Sequence, residues 1–145
     1  MFSEVYNLHL SNCDLLIDVS QLNKVHTLTL YKCDCITDVS MLNKVHTLTL
    51  HTCSGVKDVN KVNVHTLILK HCHNICDISN LGEVHTLEIN DCSQLTDYSE
   101  ISKVKVVKLC NVDIPKVRQI RDVRELTLVD VGVNSGDVIK FFITD

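Results

Sequence analysis

The residues best suited to chemistry in this chain are its eight cysteines and eight histidines, and most of them recur at fixed intervals. Cys13, Cys33, Cys53, Cys72 and Cys92 form one series. Thiols in such a column could form a disulfide ladder, string metal ions, or act as small buried hydrophobes that donate weakly within a turn. Parallel side chains on neighbouring rungs keep their Cβ atoms about 4.8 Å apart. A disulfide prefers roughly 3.8 Å, so the buried-thiol role is expected. His26, His46, His65 and His85 form a second series. An imidazole ladder could bind metal or sense pH, because charging stacked neighbours is repulsive. A turn residue copied by duplication is the simpler expectation.

The densest group of ligand types is His71-Cys72-His73-Asn74-Ile75-Cys76. Its phase turns Cys72 inward and leaves His71 and His73 on the turn, and no second Cys/His pair stands at zinc-finger spacing. Neither a metal site nor a cofactor is therefore expected. The pairs Asp18/Ser20, Asp38/Ser40, Asp77/Ser79 and Asp97/Ser99 suit a local task, since their side chains accept backbone N–H bonds where a chain enters a short helix. Too few residues remain for a long helix, so a single 3₁₀ turn or an irregular bend is expected. A calcium role for stacked aspartates lacks any known cation loop. Catalytic residues are expected to be none. No nucleophile elbow, phosphate-cradling loop or metal-protease motif occurs, and only four glycines are present. The carboxylates sit in a column rather than facing a partner acid or base.

The elements that must position these side chains follow from self-similarity. Val25-His26-Thr27-Leu28-Thr29-Leu30 and Val45-His46-Thr47-Leu48-Thr49-Leu50 are identical, Val64-His65-Thr66-Leu67 and Val84-His85-Thr86-Leu87 repeat the theme, and degenerate copies begin at Val5, Val104 and Val123. The anchor valines 5, 25, 45, 64, 84, 104 and 123 are spaced by 20, 20, 19, 20, 20 and 19. A fixed period of this length marks a solenoid. Leu28 and Leu30 around Thr29 show the two-residue alternation of a short strand with one buried face. With no two-residue hairpin signals between strands, each unit must coil once and add a parallel strand to the same sheet.

The pattern Val-x-x-Leu-x-Leu-x-x-Cys resembles the leucine-rich-repeat signature over nearly the whole chain, from Phe2 to about Val131. The segment Ile36-Thr37-Asp38-Val39-Ser40-Met41-Leu42 also looks like the convex turns of internalin-type repeats, which are about two residues longer and carry Asn where this chain has Cys. The near-verbatim Val-His-Thr-Leu copies resemble repeat arrays of large DNA viruses of amoebae. The resemblance implies an α/β fold class: a leucine-rich-repeat horseshoe of about seven repeats, with a parallel sheet on the concave face and short 3₁₀ or irregular convex segments. It forms a single domain over 1–145, with regular repeats at 5–103 and divergent repeats plus a cap at 104–145. In the divergent part Val112 and Val131 replace the cysteine, Pro115 enters, and Val138-Ile139-Lys140-Phe141-Phe142-Ile143 supplies bulk to close the end. The N-terminal end looks barer, because Phe2 falls in the phase of Leu22 and Leu42 and little else covers Leu8 and Leu10.

Positions pointing away from the core are Asn7, His9 and Ser11; Thr27, Thr29 and Tyr31; Thr47, Thr49 and His51; Thr66, Ile68 and Lys70; Thr86, Glu88 and Asn90. Inward columns hardly vary whereas this set does, and solenoids commonly bind through such extended faces. A protein partner on the concave face is the expectation, with Tyr31 as the aromatic anchor. The alternative is a structural element that self-assembles as a homodimer through exposed end rungs. Thr27/Thr29 and Thr47/Thr49 also resemble the threonine grids of ice-binding solenoids, though only two rungs carry them.

Composition narrows the partners. With 45% hydrophobic and 22% charged residues the chain reads as globular. A net charge of −4 argues against nucleic acid or an anionic membrane. Lys103, Lys105, Lys108, Lys116, Arg118, Arg121 and Arg124 gather toward the C-terminal end, but Asp113, Asp122 and Glu125 interleave with them, as on a solvated face. No apolar run approaches the roughly 20 residues of a membrane span. Met1 to Glu4 show no secretory pattern, and eight cysteines then imply reduced thiols in the cytoplasm, the host's if the chain is viral. Aromatic residues are only 4% with no Trp, which is lean for a tight protein-binding surface.

Overall fold

The computed structural model describes residues 5–81, 84–112, 117–118, 120–130 and 138–142. Phe2, Asp113, Pro115, Lys116, Val131 and Ile143, which figured in the expectations above, lie outside them. Each repeat contributes one five-residue strand: β1 Asn7–Ser11, β2 Thr27–Tyr31, β3 Thr47–His51, β4 Thr66–Lys70, β5 Thr86–Asn90, β6 Val106–Cys110 and β7 Glu125–Val129. These seven run parallel in sequence order, each paired with the next in unshifted register, as in Leu28↔Leu48↔Leu67↔Leu87. The chain is a repeat-like parallel β-solenoid.

Register follows from the alternation. In β2 to β5 the second and fourth residues are buried and the other three half-exposed, so a slip of one residue would turn the leucines outward. Leu28, Leu30, Leu48, Leu50, Leu67, Leu69 and Leu87 are wholly inaccessible, and each contributes about 1.5–3 kcal/mol of burial. The anchor valines and the columns headed by Cys33, Ile36, Val39 and Leu42 fill the rest of the coil, and no polar or charged residue is buried among the described residues. On the far side of the coil a parallel bridge joins Asp58 to Asp77.

Each parallel strand is followed at once by a residue with positive φ: Asn12, Lys32, Thr52, His71, Asp91, Asn111 and Asp130, at 50 to 54°. None is glycine. The backbone N–H of this residue still reaches the next strand, as in Asn12 to Tyr31 O at 2.9 Å and Thr52 to Lys70 O at 2.9 Å. The left-handed step then turns the next residue inward, burying Cys33, Cys53, Cys72 and Cys92, and Val112 after β6. Gly55 is required one turn later: a Cβ there would collide with the carbonyl oxygens of Asp34 and Ile36 on the preceding coil.

The helical half of the expected α/β class is almost absent. Short 3₁₀ turns cover Ser20–Leu22 and Ser99–Lys103, and among the described residues the corresponding segments of the coils between them are turns. The aspartate series does act locally: Asp18, Asp38, Asp77 and Asp97 each accept the backbone N–H two residues on at 2.8 Å. Asp58 does the same for Asn60, a member of the series that the change from Ser to Asn concealed. These bonds, backbone first, hold the four Asp-Ser carboxyls below their usual range. The C-terminal tail also differs from expectation. Val138–Phe142 forms an eighth strand, β8, antiparallel to β7.

Candidate functional site

Strand pairing gathers the fifteen outward residues into three rows across β1 to β5. The row at the strand starts is Asn7, Thr27, Thr47, Thr66 and Thr86; the middle row is His9, Thr29, Thr49, Ile68 and Glu88; the row at the strand ends is Ser11, Tyr31, His51, Lys70 and Asn90. The rows continue through Val106, Lys108 and Cys110 and then Glu125, Thr127 and Val129, which the sequence reading left out because their repeats diverge. Across β2 to β6 the charged and aromatic side chains fall in the middle and strand-end rows. Glu88 lies between two lysines, 3.8 Å from Lys70 and 3.3 Å from Lys108. The Tyr31 ring meets His51 edge-on at 4.7 Å, and the Lys32 ammonium sits 5.3 Å from the centre of the same ring. Burial, followed by the charges of His71, Lys70 and Lys32, pushes the His51 pKa down.

Just before the strands, the histidine series is a true stack. Tyr6, His26, His46, His65 and His85 succeed one another at ring-centre distances of 4.3, 4.6, 4.6 and 4.6 Å, with planes inclined by 10 to 14°. Rung spacing in a parallel sheet, about 4.8 Å, imposes this separation. Each histidine Nδ1 lies 3.1 to 3.3 Å from the hydroxyl of the threonine that follows it, and this bond fixes the ring plane. Burial and then the flanking His46 and His85 push the His65 pKa down.

Beyond the strands a second histidine group forms, and the sequence reading missed it. His71 and His73 flank the buried Cys72 and therefore emerge on the same side. Asp91 stands one rung along, in the column of His71, and its Oδ2 is 3.1 Å from His71 Nδ1. The two imidazoles are 6.2 Å apart, and one ligand atom from each of His71, His73 and Asp91 lies within 4.8 Å of the others. Ser93, in the column of His73, places its hydroxyl 3.1 Å from His73 Nδ1. The separation of both histidines from Cys72 was legible in the sequence. Their convergence with Asp91 depends on left-handed backbone at His71 and Asp91, which no motif signals.

All eight cysteines are free thiols. In the column, Cys53 and Cys72 donate to Leu30 O and Leu50 O of the preceding strands, both at 3.3 Å, as expected of buried thiols. Burial pushes the Cys72 pKa up to about 11. Of the C-terminal basic residues, Lys108 is drawn onto the sheet face by Glu88, while Lys103, Lys105, Arg118, Arg121 and Arg124 are exposed. Among the described residues no helix is long and apolar enough to cross a membrane.

A scan against protein-family models finds no match to this chain, and searches of curated proteins and of solved structures find none either. The fold and its rows of side chains are thus the basis on which function is read.

Proposed function

We propose that the chain is a leucine-rich-repeat module, non-catalytic, that binds a protein partner through the concave outer face of its sheet. One observation carries this reading: across β2 to β5 the inward columns repeat Leu or Ile, whereas the outward row at the strand ends runs Tyr31, His51, Lys70 and Asn90. A constant core beneath a varied, rigidly spaced face is what recognition by a solenoid requires. Tyr31 supplies the aromatic anchor, and the Lys70–Glu88–Lys108 array supplies direction-giving charge. The free thiols fit a reducing compartment. Affinity capture from host lysate tests the reading, comparing wild type with a Tyr31→Ala, His51→Ala, Lys70→Ala triple variant of equal fold and oligomeric state. A protein retained by wild type and lost by the variant is the expected result; equal retention moves recognition elsewhere.

A second reading, self-association through the first coil, has its own support. Leu8, Leu10, Cys13 and Leu16 are only partly buried, and Tyr6, Leu15 and Ile17 are 63%, 96% and 71% exposed. Exposed apolar side chains grouped on one coil invite another copy. Light scattering across a dilution series should then show a dimer that Leu15→Lys dissolves. A monomer at every concentration would exclude it.

A further inference from the structure

We propose that His71, His73 and Asp91 form a binding site for a divalent transition-metal ion, with zinc as the representative of the class. The donor set is two imidazole nitrogens and one carboxylate oxygen, which suits borderline ions such as zinc. The geometry is close to what binding needs. Tetrahedral zinc, with bonds of about 2.0–2.1 Å, sets its ligand atoms roughly 3.3 Å apart; the His71–Asp91 edge is already 3.1 Å. The three ligand atoms lie within 4.8 Å of one another, and the His73 side chain, exposed on the turn, can close the remaining gap by rotation. The ion replaces the proton held between His71 Nδ1 and Asp91. Ser93 holds His73 Nδ1 at 3.1 Å, which presents His73 Nε2 to the ion, as an outer hydrogen bond does for metal-bound histidines.

Position in the fold also separates this group from the other histidines. In the ladder each Nδ1 is already engaged by the hydroxyl of the following threonine, and among the described residues no carboxylate or thiol joins these rings in a ligand group. Lys32 and Lys70 approach His51 and disfavour a cation on that side, whereas Asp91 brings the negative charge on the other. Three protein ligands leave coordination open to water or to a side chain from a bound partner.

Calorimetric titration of the full chain with Zn²⁺, in a phosphine reductant, tests the site. Wild type should bind one equivalent with an affinity reduced about tenfold or more by His73→Ala, by Asp91→Asn and by His71→Asn. The last keeps the left-handed turn, since Asn12 and Asn111 occupy that position in other coils. His65→Gln, in the ladder, should leave binding unchanged. Substituted Co²⁺ should show d–d bands without thiolate charge transfer. Absence of binding, binding indifferent to all three substitutions, or binding abolished by Cys76→Ser instead would each overturn the assignment.

Discussion

The two flanks of the sheet are both rich in histidine, yet they are built in opposite ways. At the strand starts, His26, His46, His65 and His85 are copies of one residue, and repetition stacks them in nearly parallel planes. At the strand ends, His51 closes β3 while His71, His73 and Asp91 lie in turns that have diverged, and the rings of His51 and His71 and of His71 and His73 meet at 29° and 61°. Repetition yields one interaction many times over and keeps like atoms a rung apart. Divergence on the same scaffold gathers unlike ligand atoms, those of His71, His73 and Asp91, within 4.8 Å of one another. The recognition and ligation proposed above both draw on the varied flank, whereas on the repeated flank the sheet spacing sets one ring contact again and again.

Both flanks depend on the leucines between them, so the largest expected effect comes from breaking that support. Leu48→Ala should cost about 2–5 kcal/mol in chemical denaturation, because Leu48 is wholly buried between neighbouring rungs. Gly55→Ala breaks the strand-end flank selectively. Its new methyl meets backbone carbonyls of the preceding coil rather than a movable side chain, and a loss of about 1–3 kcal/mol is expected.

Acid acts on both flanks, and more gently. The pKa values of His51 and His65 are lowered from 6.5 in the fold, so below that value the unfolded chain binds protons that the native chain does not. The stability they contribute is present above about pH 6.5 and is lost as pH falls through the window just below it. The lowered Asp18, Asp38, Asp77 and Asp97 carboxyls act in the same direction, but only as pH falls below about 3.8. Denaturation midpoints measured at pH 7.5 and 5.5 should decline, and His65→Gln should flatten the decline. An unchanged slope would remove the ladder from the pH response. The smallest effect is a gain: Thr52→Asn should stabilise by about 0.5–1 kcal/mol in thermal melts, since a β-branched residue at φ 54° is strained and Asn tolerates that backbone.

Much of this architecture is legible from the period alone. Columns that are 19 or 20 residues apart must lie over one another in a parallel stack, and this gives the strand register, the three outward rows and the histidine ladder. What escaped the sequence is what the period does not govern. Strand β8 reverses direction, a choice made at one chain end and copied nowhere. Asp58 with Asn60 performs the turn bond with a changed partner. The His71–His73–Asp91 group arises between rungs, from a left-handed backbone step that five residue types of differing charge occupy along the chain. Its members are visible in the sequence; their meeting is a property of the coil.

The central claim, that the outer sheet face is the recognition surface, is tested most directly by photo-crosslinking. A benzophenone amino acid is placed either at Tyr31, on the outer face, or at Met41, which is 54% exposed on the far side of the coil. After irradiation in a lysate of the source cells, position 31 should yield a discrete adduct that unlabelled wild-type chain competes away, and position 41 should yield none. A competed adduct from position 41 with none from position 31 would contradict the account.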